Sequence, residues 1–318
     1  MSDLLPVGVA PVTRKEMADQ LSGLRFAILL VLIGVAALAA VYVAGQAIRD
    51  VAFQSQGARF VFLALFTVSD RSLPSFISFV AFLGPLLGIA LGFDSLNSER
   101  SQGTLSRLIA QPIHRDAVLH GKFLAGLATI GLALGVLLLL VAGLGLLLVG
   151  VPPSSEEVLR LILFFVLTVI YVGFWLALAQ LFSVVFRQAA TSALAAIAVW
   201  LFFAIFAGLL VGLAADAFAP VGDNPTVQEA LRHEQLTDTL NRISPVTLYS
   251  EATTPLLNPS VRSLGVLLPQ QVDRALAAPL GLGQSVLLVW PQVVALVGAV
   301  LVFFALGYVL FMREEVRA

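Results

Sequence analysis

The sequence predicts an all-α, polytopic membrane protein with six transmembrane helices, and three observations carry that prediction. The 318-residue chain is 59% hydrophobic and only 12% charged, with mean hydropathy +0.99, where a soluble domain carries about 25% charged residues. Six stretches, 26–48, 73–93, 123–149, 161–186, 190–213 and 286–311, reach the ~20 apolar residues that a hydrocarbon core of ~30 Å requires. None of the six contains an Asp, Glu, Lys or Arg. Each such residue at a helix centre costs about 2.5–3.5 kcal/mol on insertion, so a bundle in lipid is the consistent reading. The runs are too long and too rich in Leu and Gly for barrel strands, which alternate over about 10 residues.

The first segment, 1–25, precedes the first span. Thr13-Arg14-Lys15-Glu16 has a capping-box pattern, which predicts a helix start there. Met17, Leu21 and Leu24 follow at i, i+4 and i+7. Two readings stay open: a short helix lying in the membrane interface, or a plain basic flank that sets topology. The 23-residue first span exceeds the 7–15 apolar residues of a secretory signal, and a retained span is expected. Residues 59–67 are apolar but too short to cross, and are expected to form an interfacial or re-entrant piece of the first external loop.

Between the second and third spans, 94–122 is the only long loop on its side. Residues 93–100 can continue the second span as helix, Gly103 is a natural stop, and Leu105, Leu108 and Ile109 share one face of a short amphipathic turn. Pro112 breaks it, and Asp116 can cap the third span. An ordinary polar hairpin is the alternative. Farther on, 214–285 forms a long loop with two helical readings, a solvated helix over 225–242 and a second from Ser244-Pro245 to Leu257, with Pro at its first position.

Orientation follows from Lys and Arg in short loops. With the N-terminus in the cytoplasm, ten of these residues fall inside (Arg14, Lys15, Arg25, Arg100, Arg107, Arg115, Lys122, Arg187, Arg313 and Arg317), and Arg49, Arg59, Arg71 and Arg160 fall in the short external loops. Both termini are therefore expected inside. No internal repeat is evident, which argues against transporters built from inverted repeats.

Several chemistries are excluded. A net charge of −1 offers no basic face for nucleic acid. The absence of cysteine rules out disulfides and thiol catalysis. Ionisable residues inside spans, which ion-coupled transport uses, are missing. His114, His120 and His233 lie outside the apolar runs and form no catalytic cluster with acids in a span. Gly121-Lys122 is not a phosphate loop, because Asp116 and Phe123 stand where Gly and Ser or Thr are needed. Lys122 is instead expected to snorkel to the inner surface. Gln180, Thr168, Tyr171, Trp175 and Trp200 are expected to make helix–helix contacts rather than line a pathway. Gly131 and Gly135 form a G-x-x-x-G that is a close-packing face or nothing. Pro85 and Pro291 are expected kinks.

The run Phe93-Asp94-Ser95, Glu99-Arg100, Gly103-Thr104-Leu105, Pro112 and Gly121-Lys122 resembles the signature of ABC-2-type permeases. The flanks agree: Lys15-Glu16 before the first span, Phe182-Ser183 and Phe186-Arg187 between the fourth and fifth, and Phe311-Met312-Arg313 at the end. The resemblance is nearest to the subgroup serving nitrous-oxide-reductase maturation and gliding. It implies a type V exporter-like permease with an elbow helix (Lys15, Glu16) and six spans over 26–318. It also implies an ATPase-coupling loop carrying Glu99, Arg100, Gly103, Thr104, Leu105, Arg107 and Lys122, and an external gate carrying Pro245, Leu248, Tyr249 and Leu256, for which a loop without a gating part is the alternative. No cofactor is expected on this chain, ATP and Mg being held by two partner ATPase subunits. A second permease copy or a related permease, and an extracytoplasmic accessory protein, are the other partners implied. A secondary transporter or channel is the alternative function. Copper(I) transport is not expected: it favours Cys and Met ligands, and Met1, Met17 and Met312 lie outside the spans.

Overall fold

Twelve helices run in chain order through the computed structural model, which describes residues 8–52, 60–69, 74–101, 103, 114–222, 226–261 and 279–313. They are α1 (Val9–Ser22), α2 (Leu24–Ala52), α3 (Val61–Thr67), α4 (Phe76–Gly92), α5 (Asn97–Ser101), α6 (Arg115–Val149), α7 (Ser155–Val185), α8 (Ala189–Leu201), α9 (Ala207–Phe218), α10 (Val227–Asn241), α11 (Pro245–Leu257) and α12 (Leu282–Arg313). A π-helical stretch, Phe202–Phe206, joins α8 to α9 into one continuous span. There is no strand among the described residues.

Six of these segments are long and apolar enough to cross a membrane: Leu24–Gln46, Phe76–Ser101, Arg115–Val149, Ser155–Val185, Ala189–Phe218 and Leu282–Arg313. They match the six expected spans, and the last five are longer because flanking residues are helical too. At 1.5 Å per residue the 35 residues of α6 reach about 52 Å, well past a ~30 Å hydrocarbon core. The starts of α2 and α6 and the ends of α4, α7 and α12 gather at one end of the bundle with α1 and α5; we call it basal. The opposite end, with α3 and α11, is apical.

The fourth span, α7, is the centre. In its most apolar window 67% of residues are buried, against 11% for the fifth and sixth spans. The apolar faces of those two, with Leu194, Leu213 and Phe218 among their exposed residues, are the surface that suits lipid. The second span reaches α7 through glycine: a Cβ on Gly88 would lie 2.4 Å from the Val172 carbonyl oxygen, one on Gly92 2.8 Å from that of Leu176, and one on Gly84 3.1 Å from Val172. The spacing Gly84-Pro85-Leu86-Leu87-Gly88-Ile89-Ala90-Leu91-Gly92 sets three small residues on one face, so the backbones close to contact. The pair picked out in the sequence does no such work. Gly131 has no atom within 4 Å of its would-be Cβ, and Gly135 meets only the Phe165 ring at 3.7 Å.

Several local expectations change. The first helix starts at Val9, after Gly8 at φ 106°, and not at Thr13. Thr13 is inside it, its hydroxyl donating to the Val9 carbonyl at 2.9 Å, so no capping box forms. His114, not Asp116, is the N-cap of α6. A turn over 93–96 links α4 to α5, and the second span extends through both to Ser101. Pro85 and Pro291 lie inside α4 and α12, the positions where kinks are expected. Residues 104–113, with the expected amphipathic turn, lie outside the described residues.

Candidate functional site at the two ends of the bundle

At the basal end α5 is tied down from the buried side of its turn. Leu96 is fully buried beside Leu119, Val184 and Phe311. The Leu96 and Asn97 amides both donate to the Ser183 hydroxyl of α7, at 3.0 and 3.3 Å. With its side-chain amide turned to satisfy both atoms, Asn97 also donates to the Phe186 and Ser183 carbonyls, at 2.7 and 3.1 Å. Arg100 donates to the Val184 carbonyl at 3.2 Å. These bonds consume carbonyls that the last turn of α7 leaves without helical partners. Gly103, at φ 65°, adopts the left-handed backbone that lets glycine end a helical run.

Lys122 closes the same end. Its side chain is 3% exposed, and its ammonium lies 2.9 Å from Glu16 of α1 and 3.3 Å from Glu99 of α5. The expectation that it snorkels to the surface is therefore corrected. Two carboxylates from other elements reach it inside the protein, so it has no need to find water. Lys15 flanks the group, 3.3 Å from both Glu16 and Asp19. Partial burial pushes the Lys15 ammonium down, but the charges and hydrogen bonds of Glu16 and Asp19 outweigh it, leaving its pKa above the usual 10.5. The first helix, α1, also packs directly on α6. A Cβ on Gly121 would meet Val12 at 2.6 Å, and Thr129 donates to the Gln20 side chain at 2.9 Å. Arg25 pairs with Asp94 and lies over the Phe93 ring, 5.2 Å from its centroid. Of the residues expected in the coupling loop, Glu99 and Lys122 come together with Glu16 and its neighbour Lys15, Arg100 bonds to the end of α7, Gly103 ends the helical run, and Thr104, Leu105 and Arg107 fall outside the described residues.

At the apical end the first turn of α7 organises the cap. Ser154 and Glu157 form a capping box, with Glu157 accepting from the Ser154 amide at 2.8 Å. The other oxygen of Glu157 accepts from the Phe62 amide at 3.1 Å, so it also satisfies the start of α3. One helical turn on, Arg160 is fully buried. It donates to Glu156 at 2.9 and 3.1 Å, to the Leu256 and Pro255 carbonyls at 3.0 and 3.3 Å, to the Leu280 carbonyl at 2.6 Å and to the Ser285 hydroxyl at 3.1 Å. The guanidinium also lies over the Phe60 ring, 5.3 Å from its centroid. Phe60 holds a left-handed backbone at φ 66°. A cation on the last carbonyls of α11 suits the negative end of that helix.

The second helix expected in the long loop is α11, with Pro245 at its first turn. Tyr249 stacks on Tyr171 of α7, rings 4.2 Å apart and 15° from parallel, and shares a 3.0 Å hydrogen bond with Thr168. Tyr171 donates to the Ala81 carbonyl of α4 at 2.7 Å, so the polar residues of the fourth span do serve helix–helix contacts. Pro245 and Leu256 are buried as well, and Leu248 is half-buried. Glu251 holds Arg242 at 3.0 Å and accepts from Gln292 of α12 at 2.8 Å. The solvated helix α10 has no buried residue. The short apolar stretch is α3, with Phe62, Leu63, Leu65 and Phe66 buried.

Sequence reasoning missed Arg160 and Glu157. Arg160 was counted as a loop charge, although Ser154-x-x-Glu157 is a capping-box pattern that extends the fourth span outward to include it.

Residues 10–316 match the family model of the ABC-2 family transporter proteins. The chain belongs to that family. This ABC-2 family member is a multi-pass membrane protein and a permease component of an ABC transporter, a membrane subunit of the kind that works beside ABC ATPases. No curated protein matches it in sequence.

Proposed function

We propose that this chain is the permease of an ATP-driven exporter, with two copies, or one copy and a related permease, forming the path and two ABC ATPase subunits docking on the basal end. The basal end then faces the cytoplasm with both termini, in a prokaryotic plasma membrane, as the Lys and Arg bias favours. The observation that carries the reading is Lys122 between Glu16 and Glu99. It makes one buried connection of the elbow helix, the third span and the loop whose Glu99, Arg100, Gly103, Thr104, Leu105 and Arg107 would meet the ATPase. A push on α5 would travel through Ser183 to the central span and through Lys122 to α6 and α1. At the other end α11 would act as the lid, with Pro245, Leu248, Tyr249 and Leu256 as its seat. ATP and Mg would be bound and spent on the partner.

A larger amphipathic substrate, or force passed to an external accessory protein, fits a path lacking soft-metal ligands. The test is co-expression with the neighbouring ATPase and reconstitution in liposomes. Glu99→Ala is expected to lower transport-coupled ATP turnover while the complex stays assembled. Wild-type turnover in that variant would sink the coupling role, and a chain that never co-purifies with an ATPase would sink the exporter reading.

A further inference from the structure

A cavity of about 530 Å³ opens at the basal end between α1, α2 and the α4–α5 turn, within the ~300–1,000 Å³ of small-ligand sites. One wall is apolar, with Phe26 and Leu29 of α2 and Leu87 and Leu91 of α4 lining it. The other wall is charged. Among the described lining residues four carboxylates (Glu16, Asp19, Asp94 and Glu99) stand against three cations (Lys15, Arg25 and Lys122). Lys122 is buried and already committed to Glu16 and Glu99. The cations that solvent reaches are Lys15 and Arg25, 59% and 68% exposed at the rim. Arg25 directly precedes the first apolar run, which sets this rim at headgroup level.

An apolar wall beside a charged one fits an amphiphile, and the charges narrow its class. A wholly anionic headgroup meets a surplus carboxylate. A quaternary ammonium has no N–H to give those carboxylates, whereas a primary ammonium has three donors. The Arg25 guanidinium already gives one N–H to Asp94, and its remaining N–H groups are the donors left for a phosphate.

We propose that this cavity binds the headgroup of a phospholipid bearing a primary amine, its phosphate on Arg25, its ammonium on the Asp94 and Glu99 side, and its chains leaving past Leu29 and Leu87. It rests on the exporter reading only for naming the leaflet, the cytoplasmic one.

The experiment uses the full chain, purified without any ATPase, in nanodiscs holding equal amounts of phosphatidylethanolamine, phosphatidylcholine and phosphatidylglycerol with matched acyl chains. Lipid that survives delipidation is read by native mass spectrometry. Phosphatidylethanolamine is expected to be retained about fivefold over either competitor, the ratio that about one exposed ion pair supplies. Glu99→Gln should erase its lead over phosphatidylglycerol. Ala90→Trp, which fills the apolar wall, should lower retention of all three. Arg25→Gln, at a position 68% exposed, removes the proposed phosphate partner and should lower retention of all three lipids, since each carries that phosphate. Equal retention of the three lipids, a preference for phosphatidylglycerol, or unchanged retention in Arg25→Gln would overturn the proposal. Displacement by an equal concentration of free phosphoethanolamine would overturn its lipid part, since the chains would then add nothing. Retention is measured apart from ATP turnover, so failure of the exporter reading leaves this result standing, and the reverse.

Discussion

Arg160 donates to the carbonyl of Leu256 across 3.0 Å, joining the second turn of the central span to the last turn of the apical helix α11. The bond lies in a set that also takes in Pro255, Leu280 and Ser285, so one buried guanidinium holds α7, α11 and the entry to α12 together.

Arg160→Met is therefore expected to destabilise the chain by about 3–5 kcal/mol, because it strands acceptors in a buried site. The chain has no cysteine, so a single Thr253→Cys reporter can be read without background. Thr253 is fully buried on α11, and its labelling by a thiol reagent should rise when Arg160 is replaced. Labelling and thermal midpoint equal to those of the Arg160 parent would show that α11 is held by its apolar contacts alone.

Lys122→Met should cost about 3–5 kcal/mol for the same reason, leaving Glu16 and Glu99 facing each other without a cation. Restoring neutrality with Glu16→Gln and Glu99→Gln in the same chain should recover much of the loss. Unfolding measured over the full mutant cycle separates the coupling from the single effects. Additive losses would mean that the three groups do not act as a unit.

Glycine contacts divide sharply. Gly88→Ala places a methyl 2.4 Å from the Val172 carbonyl, and forcing the two spans apart should cost about 1–3 kcal/mol. Gly131→Ala meets nothing within 4 Å, and should be neutral or stabilising by up to about 1 kcal/mol through helix propensity. Comparable yields and melting temperatures for both would contradict the close α4–α7 approach.

Glu229 offers a pH test at the apical loop. Hydrogen bonds from the Thr226 backbone and side chain hold its carboxyl below the usual 4.5. A depressed folded pKa means that its contribution to α10 is present above that usual value and fades as pH falls through the lower folded one. Glu229→Gln should thus loosen α10, read by spin-label mobility, at neutral pH. The difference from wild type should vanish in acid. A gap between the two that persists unchanged in acid would remove the charged cap as its cause.

Much of the bundle was legible because lipid imposes a length and an apolarity that show in the sequence. The charge-free runs marked all six spans, and Ser244-Pro245 marked the start of α11 by local chemistry alone. The loop between the second and third spans was legible only as a pattern of Glu99, Gly103 and Lys122. What these residues touch was not, since Glu16 and Lys122 are more than a hundred positions apart in the chain. The glycines show the same divide: two spaced sets look alike as text, and only the neighbour at Gly88 tells a contact face from an empty one.

By itself the sequence determined a six-span, all-helical protein with a polar loop between its second and third spans, because solvation by hydrocarbon acts on each segment independently. Tertiary structure alone decided that α7 is the centre, that Lys122 is buried rather than at the surface, and that Arg160 belongs to a helix that clamps the cap. The physical reason is that burying a charge depends on partners brought from distant segments, and no local pattern specifies which carboxylate or carbonyl will arrive.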